Sequence, residues 1–140
     1  MIFKLDQASG AEDGDFAELA GRIEEYLDSL PVPVAAAMQL MIALDEAISN
    51  ALKYGEADGV TPEVVVTLEV DDGKLLTEVA DSGTPFDPLS LPEPDTSLSV
   101  EEREIGGLGI HIVRNLMDEV SYSRDEGWNR LRFSKTFEVE

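Results

Sequence analysis

The 140-residue chain is the size of one compact domain, and it has no apolar run long enough to span a bilayer and no basic–apolar–small order at its start. A soluble, cytoplasmic single domain over residues 1–140 is therefore the expectation. The absence of cysteine and the lone His111 exclude disulfides, thiolate sites and histidine metal clusters. Thirty acidic against ten basic residues, a formal charge of −20, repel nucleic acid and anionic membranes, so the acidity reads either as a solubility feature or as complementarity to a basic protein partner.

In chain order, residues 15–30 carry Phe16, Leu19, Ile23, Tyr26, Leu27 and Leu30 at helical spacing, ending before Pro31. A second helix is predicted over 34–54, stopped by Gly55. The period then changes to two over Val64–Val70, and Asp72–Gly73 turns the chain into a second strand over 75–80. Residues 84–105, rich in proline, serine and acid, are too long for an ordinary connection and read as a functional lid. A glycine-rich start, Gly106 to Gly109, opens a third helix to about Met117. A last hairpin pairs 120–124 with 129–137 around Asp125-Glu126-Gly127. This order predicts a two-layer α/β sandwich, its mixed, mainly antiparallel sheet covered by helices on one face.

Three segments carry candidate chemistry. On the second helix Glu46 and Asn50 lie about 40° apart, while Ala37, Leu40, Met41, Leu44, Ile48, Ala51 and Leu52 cluster on the opposite side. The pair thus shares a non-core face with the small residues Ala43 and Ala47, and Lys53 lies one turn on. Such a face is either merely solvated, or it offers an amide oxygen to a hard cation and a carboxylate as a base. Asp81 ends an apolar strand in VADSGTPFD, where it either closes a turn or accepts a hydrogen bond from the exocyclic amine of adenine, with Gly83 letting backbone approach the ring. Gly106, Gly107 and Gly109, with Leu108 between them, form either a hinge or a phosphate cradle at a helix start. His111 reads as a surface residue.

Taken together, EAISN, DSGTPFD and GGLGIHIVRNLMDEV resemble the nucleotide-binding boxes of the GHKL ATPase superfamily, most closely the bacterial anti-sigma-factor serine kinases, over nearly the whole chain. The resemblance implies an ATP site in which Glu46 is the general base, Asn50 holds Mg²⁺ and Asp81 reads the adenine amine. Gly83 would pack near the base, and Gly106, Gly107, Leu108 and Gly109 would hold phosphates in the lid, with Lys53 a further phosphate contact. A late-strand polar residue that helps hold adenine in most relatives, often threonine, is here replaced by the run Asn129-Arg130-Leu131. The implied function is phosphorylation of a serine or threonine on an anti-anti-sigma protein, alternating with sequestration of a sigma factor, and relatives commonly form a homodimer. One alternative is a nucleotide-dependent binding module without phosphoryl transfer. Another is the catalytic domain of a histidine kinase, disfavoured because the chain shows no upstream helix carrying a histidine.

Overall fold

The computed structural model describes residues 2–5, 12–55, 62–90 and 107–138. Helix α1 (Glu12–Asp28) buries Leu19, Ile23 and Leu27, the stripe its spacing predicts. It closes with backbone bonds from Ser29 and Leu30 back to Tyr26 and Leu27, ahead of Pro31. Helix α2 (Val34–Gly55) begins on the carbonyl of Pro33, which accepts from the N–H of Ala37.

Strands β2 (Val64–Asp71) and β3 (Lys74–Asp81) form the predicted hairpin. Its turn puts Asp72 and Gly73 at φ of 47° and 78°. Positive φ at both central residues matches the right-handed twist of the flanking strands. The closing hairpin of β4 (Glu119–Asp125) and β5 (Trp128–Thr136) uses the same device at Glu126 and Gly127.

Helix α3 (Gly107–Leu116) starts within the glycine-rich segment. Its end is tied down by Lys135, whose ammonium donates to the Leu116 carbonyl.

The described strands make a five-stranded sheet in the order β1-β2-β3-β5-β4, where β1 is Ile2–Leu5. Two expectations are corrected. The sheet has an edge strand that hydrophobic period did not reveal, because four residues are too few to establish alternation. Every ladder is antiparallel, so the described sheet is not mixed.

Register fixes the two faces. Val64, Val66 and Leu68 stand beside Asp81, Val79 and Thr77, which in turn stand beside Asn129, Leu131 and Phe133. This buried face packs against Leu40, Leu44 and Ile48 of α2 and Ile110 and Val113 of α3 in one core. The opposite face carries polar side chains, with Glu78 bridging Arg130 at 2.8 Å and Arg132 at 2.7 Å.

Candidate functional site at the Asp81 end of the sheet

The last register row of the covered face places Asp81 directly opposite Asn129. Both side chains are buried, and both lie where α2 and the segment after β3 close over the strand ends. A small cavity of about 30 Å³ there is walled by Ala47, Asn50, Asp81, Phe86, Pro88 and Asn129, with Val79 and Leu131 at its floor. Asn50 and Asp81, remote in sequence, thus face one space.

Asn50 is only 7% exposed, and among the described residues its side-chain nitrogen has no hydrogen-bond partner. An orphaned donor in a buried cavity marks a place where a polar ligand or water is needed, since leaving it unpaired costs about 1–3 kcal/mol. The non-core face expected for Glu46 and Asn50 is corrected here. Ala43, Ala47 and Asn50 are buried, because α2 packs against the sheet and also against α3. Glu46 sits at the margin of that face, half-buried.

Gly109 explains how α3 comes so near. A Cβ built on it would fall 2.6 Å from Oε2 of Glu46 and 3.6 Å from Oδ1 of Asn50, so no larger residue fits without displacing the carboxylate. The first turn of α3 holds no acidic residue of its own, and the Glu46 carboxylate lies against it, where the helix dipole favours negative charge. Glu46, Asn50 and the α3 start therefore converge.

Asp81 is held by two hydrogen bonds on one oxygen. Its Oδ1 accepts from the Gly83 backbone N–H at 3.0 Å and from the Asn129 amide at 2.9 Å, while Arg124 reaches the Gly83 carbonyl at 2.8 Å. Burial pushes the Asp81 carboxyl above its ordinary value, and the bonds from Asn129 and Gly83 and the charge of Arg124 oppose that rise.

Gly83 and Gly109 thus stand at the site with Glu46, Asn50 and Asp81. Gly107 opens α3, and the backbones of Lys53 and Leu108 lie on α2 and α3, their side chains outside the described residues. Gly106 and residues 91–105 of the expected lid also lie outside the described residues. The start of that segment, 84–90, forms cavity wall: Pro88 is buried in a short 3-10 turn, and Leu89 donates to Asp87. His111 is half-buried.

Sequence reasoning missed Tyr122, Phe86 and Pro88. Among these, only the alternation of β4, which puts Tyr122 in register with Leu131, carried a signal. Asn129 belongs to the run Asn129-Arg130-Leu131 that departs from the expected late-strand threonine, and register places it beside Asp81. A larger shallow depression of about 440 Å³ on the opposite sheet face, between Glu69, Glu78 and Arg132, involves none of the predicted site residues. Among the described residues no helix is long and apolar enough to cross a membrane.

Serine/threonine-protein kinase BtrW of Bordetella bronchiseptica is 29% identical over 92 residues, covering 66% of this chain and 65% of that protein. Serine-protein kinase RsbW of Listeria monocytogenes is 38% identical over 95 residues, covering 63% and 59%. The match thus spans less than two-thirds of the length of either relative. Among solved structures, Acinetobacter baumannii histidine kinase AdeS is similar with a TM-score of 0.47 and 14% identity, over 72% of this chain and 47% of that one. Residues 10–135 match the Histidine kinase-like ATPase domain, and the chain belongs to that family.

Proposed function

We propose that the chain is a single-domain, cytoplasmic protein serine/threonine kinase that uses Mg-ATP to phosphorylate an anti-anti-sigma protein and, unengaged, sequesters a sigma factor. The observation that carries this reading is the meeting of Asn50 and Asp81 in one cavity, with Glu46 and the Gly109 backbone beside it. The names of the two kinase relatives support the reaction type.

In this reading Asp81 accepts from the adenine amine and Gly83 lies along the base. Gly106, Gly107, Leu108 and Gly109 hold phosphates, with Lys53 near them. The donor set suits magnesium: the Asn50 amide oxygen is a hard ligand beside a carboxylate, and no cluster of three metal-binding side chains competes among the described residues. Magnesium supplies neutralisation of phosphate charge, the larger part of what phosphoryl transfer asks. Glu46 takes the proton from the attacking serine hydroxyl. Adding a phosphate to the antagonist sets like charges against an acidic kinase, which weakens the complex and frees the kinase for a sigma factor, as a monomer or homodimer.

The test is purified protein with Mg-ATP and an anti-anti-sigma protein from the same organism, read by phosphoserine or phosphothreonine formation. Glu46→Gln is expected to abolish transfer and keep ATP binding. Wild-type protein that binds Mg-ATP tightly yet leaves the antagonist unmodified sinks the kinase reading and leaves a nucleotide-dependent binding module.

A further inference from the structure

The hydrogen bonds around Asn129 leave it nothing to offer a nucleotide directly. Its amide nitrogen donates to Asp81 Oδ1 at 2.9 Å and to the Thr84 carbonyl at 2.8 Å, using both hydrogens. Its oxygen accepts from the Phe86 backbone N–H at 3.2 Å and from the Tyr122 hydroxyl at 2.6 Å, using both lone pairs. The orientation of the amide is unambiguous, because a backbone N–H can only donate and a carbonyl can only accept. Asn129 is 4% exposed. A fully satisfied buried amide of this kind fixes whatever it touches.

What it touches is the base-reading carboxylate and the segment that walls the cavity. Among the described residues, both hydrogen bonds to the Asp81 side chain, from Gly83 and from Asn129, land on Oδ1, so Oδ2 is the oxygen left for a ligand. We infer that Asn129, locked by Tyr122, is a positioning residue that makes Asp81 a one-acceptor reader of a purine 6-amino group, without itself contacting the base. The inference rests on the assignment of Asp81 to the nucleobase. It adds that selection against a 6-carbonyl purine depends on a relay from β4 through β5 to β3. A 6-carbonyl cannot donate to Oδ2, and a carboxylate pinned at Oδ1 cannot turn away from it. The fixed geometry therefore converts a contact into discrimination.

ATP and inosine triphosphate are the probes, since they differ only in the 6-amino or 6-carbonyl group and its effect on the ring N1. Calorimetry with magnesium present is expected to show wild-type protein preferring ATP by about a hundredfold or more, as for a site built to hydrogen-bond its ligand. Asn129→Ala should cut that preference at least tenfold. Asn129→Asp keeps the shape but turns donors into acceptors beside Asp81, and should cut it further. Tyr122→Phe, which removes one oxygen, should cut it about threefold. Leu68→Ala, a core change away from the site, should lower stability and keep the preference.

A second readout needs no catalysis. Loss of the Asn129 donor removes a bond that opposes the upward push of burial on Asp81, so ATP affinity should fall with acidification at a higher pH in Asn129→Ala than in wild type. Folded Asn129 variants that keep the wild-type ATP preference and acid limb overturn the inference. If they do not fold, an unchanged preference in Tyr122→Phe overturns it. Wild-type protein that binds neither nucleotide defeats the underlying site assignment instead.

Discussion

At the scale of single residues, the site turns on which groups approach each other closely enough to exclude a methyl. Gly109 is the sharpest case, because Oε2 of Glu46 lies 2.6 Å from where its Cβ would be. Contacts under 3.0 Å do not persist, so Gly109→Ala must push the carboxylate aside or lift α3 from α2. An alanine favours the helix itself by about 1 kcal/mol, so any loss cannot be blamed on propensity. On the proposed kinase reading, the variant is expected to fold and to lose phosphoryl transfer at least tenfold, with a smaller loss in ATP affinity. Transfer at the wild-type rate would show that the contact of Glu46 with α3 does not serve the proposed reaction. The residue types of the site were legible in the sequence, whereas their burial was not. Ala43 and Ala47 had the right smallness, but it serves a close helix approach as well as ligand room, and only the packing of α3 decides between them. Asn129 carried a polar side chain whose partners, Asp81 and Thr84, are 48 and 45 residues away. No local pattern announces such a bond.

At the scale of elements, period and turn chemistry located three helices and two hairpins closely, because each buries one side against the same core and each turn has a residue suited to positive φ. The short edge strand β1 escaped, since its pairing with Val64–Thr67 is decided by the partner strand and not by its own four residues. Two glycines separate backbone need from accident. Gly73 holds φ of 78°, and a Cβ there would meet the Phe137 carbonyl at 3.2 Å, the same region in which the Phe137 N–H bonds the Gly73 carbonyl. Gly21 lies in mid-helix with open space around it. Gly73→Ala is expected to destabilise by about 1–2 kcal/mol, the cost of placing an L-residue in the left-handed region. Gly21→Ala is expected to stabilise by roughly 0.5–1 kcal/mol through helix propensity. Urea unfolding of both variants checks the pair, and a stabilising Gly73→Ala would mean that the turn relaxes to another type.

At the scale of the whole molecule, charge is the dominant feature, and its sign of effect follows from counting. With 30 carboxylates and 10 cationic side chains, the former exceed the latter by 20 (30 − 10), so most of that excess has no cation to itself. Among the described residues, ion pairs such as Glu78 with Arg130 and Arg132, Arg130 with Asp125, and Lys74 with Glu119 lie on the partly exposed sheet face and at its edge. Pairs of that kind contribute about 0–1 kcal/mol each. Repulsion among the unpaired carboxylates acts over a Debye length of roughly 30 Å at 0.01 M salt, which reaches across a domain of this size, and over only about 8 Å at 0.15 M. Salt therefore removes more repulsion than attraction. Raising sodium chloride from 0.01 to 0.5 M at pH 7 is expected to raise the urea midpoint, by about 0.5 M or more, equivalent to roughly 1 kcal/mol at an ordinary denaturant slope. Urea is the required denaturant, because guanidinium is itself a screening salt. A midpoint that falls with salt would show that the few ion pairs outweigh the excess of carboxylates. The acidity would then have to be read as a structural network, and no longer as a field that the fold tolerates and that a basic partner, or magnesium accompanying a nucleotide, relieves.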